Sequence, residues 1–466
     1  MKGTPDNPKR PPFDRPHIVV VGCGFGGLSF TRSFRGDATV TIIDRQNHHL
    51  FQPLLYQVAM AGLSAPDIAE PIRSIFRNRP NIGTMMDTVE GIDLANQHIE
   101  TELGGTVSYD YLVLGIGGRT SYFGNDHWAE HAPGIKTLED AMRVRRMVLT
   151  SYELAEAIDD PEERKKLTTI VVVGGGATGV ELAGSMAELS RVVFKRDFRR
   201  INPAESRVLL VDGGDRLLSA FPEELSASGQ RQLEGLGVEV ILETRVQHID
   251  EEGVELDNGQ RIETRNVLWG GGIQAPGLTR KLGVELGGGG RVQVGPDLSI
   301  PGHPEAFVIG DVADVTLPDG SKAPGLAPAA MQMGKYVAKH IRRELRSGRP
   351  IPVQERGAFT YRDKGTMATI GRTHAIADIG PLHFGGFFAW MAWLAVHLLL
   401  LIGFRNRVVV LIQWAYAYLS FRRGARIIFG RDKLVDEIER ELLDKSDKTS
   451  VDLPPMPQPQ EAGLSQ

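Results

Sequence analysis

Short runs in which nearly every position is apolar recur through the first three hundred residues, at 17–21, 39–43, 111–114, 169–173, 207–211 and 266–269. Each ends at a glycine, an acid or a turn. Runs of this length, bounded by turn residues and lacking a polar face, read as strands covered on both sides, the habit of parallel sheets. A later run, Phe307-Val308-Ile309, has the same character and leads into helical spacing over 327–343. The pattern changes beyond 380. Residues 384–404 contain no Asp, Glu, Lys or Arg, and 408–421 form a second apolar stretch.

Two of the early runs open onto glycine clusters about 150 residues apart, Gly22-Cys23-Gly24-Phe25-Gly26-Gly27 and Gly174-Gly175-Gly176-Ala177-Thr178-Gly179. Strand, glycine turn and helix in this order form a dinucleotide cradle. The first glycine allows the tight turn, the second lets a pyrophosphate approach the backbone, and the third lets helix pack on strand. The helix N-terminus then offers unpaired N–H groups to phosphate. The next strand in each unit ends on an acid, Asp44 and Asp212, where such folds bind a ribose 2′-hydroxyl. An acid there repels a 2′-phosphate, so NADH is expected over NADPH. A lone cluster of this kind is weak evidence; two complete ones point to an electron relay.

Composition narrows the class. The chain has 466 residues, 53 Lys+Arg against 58 Asp+Glu, and 54 glycines. That length suggests about three domains, and the near-balanced charge argues against a general nucleic-acid binder. The single cysteine, Cys23, excludes an intrachain disulfide and a Cys-paired metal site; its small side chain is most simply a packing choice. His48, His49 and His397 lack metal-ligand spacing, and no metal is expected. The first 16 residues are polar and proline-rich without an apolar centre, so no secretory signal is expected. The tail from 431 is charged, then rich in proline and glutamine, and reads as largely disordered.

The order of signals implies an α/β protein of two Rossmann-type dinucleotide-binding domains, the second inserted in the first, followed by a C-terminal membrane-associating helical region. The expected boundaries are 17–145 with 295–350 for the first domain, 165–294 for the second and 351–430 for the C-terminal region, with 1–16 and 431–466 as disordered tails. The 21 uncharged residues 384–404 are long enough to span a bilayer, which takes about 20. A spanning helix, a monotopic anchor in the interface and a buried dimer contact all fit. Attachment is favoured, because the preceding domains need no membrane. Trp390, Trp393, Trp414, Tyr416 and Tyr418 then suit the headgroup boundary, and Arg405, Arg407, Arg422, Arg423 and Arg426 suit anionic lipid.

With these residues in view, the chain resembles the type II NADH dehydrogenases, single-subunit flavoproteins that pass electrons from NADH to membrane quinone without pumping protons. The resemblance covers about residues 17–430. Beyond the cradles it rests on His49-Leu50-Phe51-Gln52-Pro53-Leu54-Leu55-Tyr56-Gln57-Val58-Ala59, Gly179-Val180-Glu181-Leu182-Ala183-Gly184, the Phe307 to Asp311 strand end, Lys364 to Gly371, and Gly403-Phe404-Arg405-Asn406-Arg407. It implies FAD on Gly22, Gly24, Phe25, Gly26, Gly27, Asp44, Arg45, Gln52, Gly310 and Asp311. It implies NADH, as substrate, on Gly174, Gly176, Ala177, Gly179 and Asp212, and quinone as acceptor.

Glu181, Gln332 and Lys364 are the implied catalytic residues. Glu181 also fits a helix N-terminal acid favoured by the macrodipole, and Lys364 also fits a solvated surface lysine. The segment 327–332 is similar to the family's quinone signature Ala-Gln-x-Ala-x-Gln, but Pro328 replaces its first glutamine and only Gln332 matches the second. The implied setting is peripheral or monotopic, on the cytoplasmic side of the cell inner membrane, in contact with lipid and the quinone pool, as a homodimer. Flavoprotein disulfide reductases and sulfide:quinone reductases share the plan but use reactive cysteines beyond the one present. A reductase of a soluble acceptor and a membrane-tethered NADH sensor with little turnover are the alternatives.

Overall fold

The computed structural model describes residues 15–420, 425–430, 436 and 440. The tails assigned to 1–16 and 431–466 therefore lie largely outside the described residues. Strands β1 (His17–Val21), β2 (Thr39–Asp44), β3 (Ile82–Met86) and β4 (Tyr111–Leu114) precede β5 (Thr169–Val173), β6 (Arg207–Val211), β7 (Val238–Ile241) and β8 (Asn266–Trp269); then come β9 (Ser299–Ile300) and β10 (His303–Val308). The first sheet runs β9-β10-β4-β1-β2-β3, and the second runs β7-β6-β5-β8. The chain leaves one sheet, builds another, and returns.

Within the first sheet only β9 is antiparallel. Val20 lies level with Ile42 on one side and Val113 on the other, and Val172 with Leu210 and Leu268 in the second sheet. All five residues of β1 and all five of β5 are buried, which explains the unbroken apolar runs: both faces of each strand are covered. Each unit also carries a three-stranded antiparallel meander, at 89–108 and 246–263. The two units join by short strands, Arg119–Thr120 pairing antiparallel with Ile273–Gln274.

Helices α1 (Phe25–Ser33), α2 (Leu55–Ala59), α3 (Leu138–Ala157), α4 (Ala177–Glu188) and α5 (Ala327–Ser347) complete the two units. The charged segment 139–166 contributes to a core. Its α3 buries Ala141, Val144, Met147, Val148 and Tyr152 in the core that also holds α2 and α4.

The C-terminal region opens with an antiparallel sheet of β11 (Thr366–Ile370), β12 (His374–Ile379) and β13 (Leu382–Gly385). The apolar run at 384–404 then forms α6 (Phe387–Leu400), and the second apolar stretch forms α7 (Phe404–Ser420). The chain breaks at Leu401, which is extended at φ −61° and ψ 136°, and at Gly403, whose φ of +86° suits glycine. Among the described residues no helix is long and apolar enough to cross a membrane.

The Gly403 to Arg407 motif explains this turn. The buried Asn406 amide reaches Ala69 O at 3.3 Å and Glu70 Oε2 at 3.4 Å, pinning the hairpin to the first unit, while Arg407 Nε donates to Leu401 O at 2.7 Å. Three of the aromatic residues assigned to the headgroup boundary are instead inside the protein. Trp390, Trp393 and Trp414 are 7%, 1% and 6% exposed. Trp414 shares one stripe of α7 with Asn406 and Val410, at four-residue spacing, and Trp393 of α6 meets Tyr56 and Trp414. The opposite side carries Phe387, Phe388, Leu399, Phe404, Leu411, Ile412 and Tyr416, all exposed.

One buried cluster of charges ties the 351–359 segment to the first unit. Arg356 donates to Asp297 Oδ2 at 2.9 Å, Glu344 Oε1 at 3.0 Å, Pro304 O at 2.7 Å and Ile351 O at 2.9 Å. Glu344 also accepts from Tyr111 Oη at 2.9 Å and lies 3.0 Å from His340 Nε2. Both acids and the arginine have side chains 2% exposed. Removing the guanidinium leaves two buried carboxylates without their shared cation, so Arg356→Met should lower unfolding stability by about 3–5 kcal/mol. Urea titration of the purified protein measures this; an unchanged midpoint contradicts the assignment.

Candidate active site

At the end of β1 the chain must reverse within four residues and start a helix. Gly22 has φ +91°, and a Cβ there would strike Gly115 O at the end of β4. A Cβ on Gly27 would run into Gly22 O, whereas Gly24 has nothing within 4 Å. Gly22 therefore makes the turn, Gly27 brings α1 onto the strand, and Gly24 leaves room for a ligand. α5 crosses α1 just as closely, since a Cβ on Gly334 would strike Gly26 O.

The second cradle repeats this. Gly174 has φ +110° and a Cβ there would come within 2.7 Å of Gly271 N; a Cβ on Gly179 would strike Gly174 O, and Gly176 faces open space. Gly176, Ala177 and Thr178 are solvent-exposed, which suits a ligand that arrives and departs.

The two strand-end acids also behave alike. Asp44 accepts from Cys23 N at 2.6 Å and Gln46 N at 2.8 Å, and Asp212 accepts from Gly175 N at 2.5 Å and Gly214 N at 2.7 Å. Each carboxylate braces its own cradle, with lone pairs left for a ribose hydroxyl. Burial holds the Asp44 carboxyl above its ordinary range, against the hydrogen bonds from Cys23 and Gln46. Cys23 is 1% exposed, and burial followed by the charge of Asp44 drives its thiol far above the usual value. It is packing, not a nucleophile.

The first cradle opens on a cavity of about 510 Å³. Gly22, Gly24, Phe25, Gly26, Asp44, Arg45, Gln52, Gly310 and Asp311 all line it; Gly27 does not, because it packs α1. Gly310, with φ +77°, turns the end of β10 so that Asp311 reaches the cavity. Sequence reasoning missed Lys136 and Thr137, which also line it. Burial pulls the Lys136 ammonium below its usual value, while Asp311 opposes the shift. Thr137 caps α3: its Oγ1 accepts from Asp140 N at 3.1 Å, and Asp140 accepts from Thr137 N at 2.8 Å. The signal was available, because Thr137-Leu138-Glu139-Asp140 is close to a capping box. The cavity thus combines an open cradle, a helix N-terminus, a half-buried lysine and an acid. These residues fit a dinucleotide with a pyrophosphate at Gly24 and a polyol near Asp311.

Glu181 lies one turn into α4, past the free N–H groups, and does not cap. Its Oε1 instead accepts from Thr369 N on β11 at 3.4 Å. Burial pushes its carboxyl up to about 8, with the Thr369 N–H pulling downward. Tyr56 on α2 faces it, and its phenol is raised well above 10 by burial and by Glu181.

On the other side, Gln332 uses both amide atoms on one residue: Nε2 donates to Arg362 O at 2.8 Å and Oε1 accepts from Arg362 N at 2.9 Å. Gln332 therefore holds the loop that presents the exposed Lys364. Pro328 sits in the first turn of α5, where a missing N–H is tolerated. The structure brings Gln332 and Lys364 together through that loop and leaves Glu181 with β11.

His49 and His397 are packed groups. His49 Nδ1 lies 2.8 Å from Cys23 O, and His397 stacks on Trp393 with ring centroids 3.9 Å apart. Burial lowers both to about 4, so each is neutral at pH 7. Among the described residues no group of three or more His, Cys, Asp or Glu is placed to hold a metal.

The chain matches the family model described as pyridine nucleotide-disulphide oxidoreductase over residues 16–334, and the NDH2 C-terminal domain over 364–423. It is 43% identical to the type II NADH:quinone oxidoreductase Ndh of Mycobacterium tuberculosis over 429 residues, 90% of this chain and 91% of that one. A second protein of that organism and description, NdhA, is 40% identical over 427 residues, 89% of each chain. Among solved structures, NDH2 from Plasmodium falciparum in complex with NADH superposes with a TM-score of 0.80 at 19% identity, covering 89% of this chain and 100% of that one.

The two glycine roles separate experimentally. Gly179→Ala forces α4 off β5 and should destabilise by about 1–3 kcal/mol with loss of dinucleotide binding. Gly176→Ala meets open space and should change stability by less than about 0.5 kcal/mol. Denaturant midpoints for the pair decide; equal midpoints contradict the close-packing role.

Proposed function

We propose, for a chain that belongs to the type II NADH:quinone oxidoreductases, that Glu181 carries a proton for turnover while the C-terminal hairpin rests on the quinone-bearing membrane. The enzyme transfers electrons from NADH to quinone by way of a bound flavin. FAD, when bound, supplies the redox chemistry: it takes a hydride from NADH and gives two electrons to quinone. The protein binds, orients and moves protons.

In this reading the α1 N-terminus, Gly24 and Lys136 hold the FAD pyrophosphate, and Asp311 takes the polyol. The exposed second cradle and Asp212 hold NADH, and the acid repels a 2′-phosphate. The carboxyl of Glu181 supports the central assignment. Quinone reduction consumes two protons, and an acid near 8 is largely protonated at pH 7, so it can deliver one and recover it from solvent. Because Thr369 N–H occupies Oε1, the proton sits on Oε2. Gln332 positions the Lys364 loop at the acceptor side, and Pro328 offers a quinone carbonyl no amide.

The exposed apolar face of α6 and α7 lies in the interfacial plane with Arg405 and Arg407 toward headgroups, each worth about 1 kcal/mol on anionic lipid. We place the enzyme on the cytoplasmic face of the inner membrane, peripheral or monotopic. In this reading turnover pumps no protons. Two copies side by side would merge their apolar faces into one larger patch, which supports a homodimer.

Anaerobic stopped-flow spectroscopy tests the acid. Glu181→Gln should still allow NADH to bleach the flavin, with quinone-dependent recovery slowed by about 10²-fold. Since the protonated form is required, the unmodified rate should fall as pH rises through about 8, and Glu181→Gln should lose that inflection. Equal recovery rates and pH profiles remove Glu181 from the mechanism. A flavin that NADH bleaches but no quinone restores would point to a soluble acceptor. For the membrane seat, Phe388 and Phe404 are 77% and 83% exposed. Replacing either with Asp should weaken vesicle binding by roughly tenfold, read by co-sedimentation; unchanged binding argues against this face.

A further inference from the structure

The proposed acid is linked to the membrane hairpin by a line of side chains. Trp414 Nε1 on α7 donates to Gln57 Oε1 at 2.8 Å. Gln57 Nε2 donates to the Tyr56 hydroxyl at 3.0 Å. That oxygen lies 3.0 Å from Thr369 Oγ1, and because it already accepts from Gln57, its own hydrogen is free for Thr369. The main-chain N–H of the same threonine donates to Glu181 Oε1. Tyr56 is 6% and Trp414 is 6% exposed, so water does not readily replace either contact. Tyr56, Gln57, Thr369 and Trp414 border one small cavity, roofed by Trp390 and Tyr418.

We propose that Tyr56 and Thr369 are positioning residues that hold the Thr369 amide against Glu181, and that Trp414 and Gln57 tie this contact to the seating of α7. The proposal rests on reading Glu181 as the acid. The N–H···O distance of 3.4 Å is longer than such bonds usually run, so a small displacement of β11 strengthens or abolishes it. Thr369 is free to move only as far as its own side chain permits. The Tyr56 hydroxyl fixes that side chain from α2, and Trp414 on α7 steadies Tyr56 through Gln57.

Other charges on the elements packed against α4 are engaged elsewhere or face water. Arg207 on β6 and Glu239 on β7 pair with each other at 2.7 Å, and Arg191 reaches Gly237 O at 2.9 Å. Glu223, Glu224, Arg231 and Glu234 on the helix Glu223–Gly235 are exposed. Glu188, two turns further along α4, accepts from Arg372 N. On the hairpin side Tyr418 lies beyond Tyr56 and is covered by the Arg372 guanidinium at 5.0 Å. Tyr56 is thus the titratable group set directly opposite Glu181.

A donated N–H favours the carboxylate, so loosening it raises the proton affinity of the acid. The test is the pH profile of quinone-dependent flavin recovery in the full-length holoenzyme on phospholipid vesicles. Tyr56→Phe and Thr369→Val should move the inflection upward by roughly 0.5–1 unit. Thr369→Ser keeps the hydroxyl and should restore it; Trp414→Phe should move it the same way by less. Bound flavin and NADH bleaching report folding for each variant. If Glu181→Gln loses the inflection while Tyr56→Phe and Thr369→Val keep the unmodified value, the positioning role is overturned and the acid stands. If Glu181→Gln keeps the inflection, the acid itself is misassigned and this proposal falls with it. An unmoved Trp414→Phe profile overturns the link to the hairpin.

Discussion

Everything in this molecule depends on two places where backbone meets backbone without a side chain between them. At Gly22–Gly27 and at Gly174–Gly179 a helix starts directly over a strand end, so close that a single methyl group would meet a carbonyl oxygen. That approach aims the first turns of α1 and α4 at their ligands. It also sets how near α2, α5 and β11 can come, because each packs on one of these helices. The strand-end acids reinforce it, Asp44 and Asp212 each accepting two N–H groups from the turns beside them. The carboxylates proposed to take a ribose therefore also stiffen the turns that present each cradle.

The resulting architecture separates two kinds of chemistry. The first cradle lies over a cavity of about 510 Å³, the second over an exposed rim. One suits a group that stays, the other a substrate that exchanges. Glu181 belongs to the second cradle's helix yet is partnered by the C-terminal sheet, and Gln332 belongs to the first cradle's unit yet is partnered by the loop before that sheet. The C-terminal region thus contributes more than a membrane seat, since it supplies the main-chain partner of both residues.

Much of this was legible in the sequence. Continuous apolar runs gave parallel strands because both faces of each sheet are covered, and the spacing of glycines gave both cradles. The return of the chain to its first sheet was legible from Phe307 to Asp311. What escaped were contacts set by distant partners. Nothing near Glu181 announces that its carboxylate meets Thr369, 188 residues away, and helix-end capping was a reasonable local alternative. Lys136 faces the cavity only because Thr137 caps α3 there. The tryptophans of the hairpin were assigned to lipid by composition. The structure turns Trp390, Trp393 and Trp414 inward, since the stripe they occupy on each helix is the one facing α2 and β11, and leaves phenylalanine and leucine outside. Length alone makes 384–404 a spanning candidate; Leu401 and Gly403 end its helix, and Asn406 pins the turn into α7.

The interruption of one sheet by another has a consequence for how the chain comes to exist. β10 pairs with β4 across about 190 residues, Leu112 lying level with Ala306. A nascent chain therefore leaves the ribosome with β1 to β4 exposed along one edge while the whole second unit is still being made. Closing so long a loop is slow for entropic reasons, and an open parallel edge invites pairing with the wrong strand. The inserted unit, whose four strands all come from 169–269, can complete itself first and bring the ends of the interrupted sheet together. Asp311, immediately after β10, is among the last parts of the cavity to emerge. Cofactor capture is then a late event in biogenesis, and a truncated translation product ending before β10 lacks both the strand that pairs with β4 and that acid.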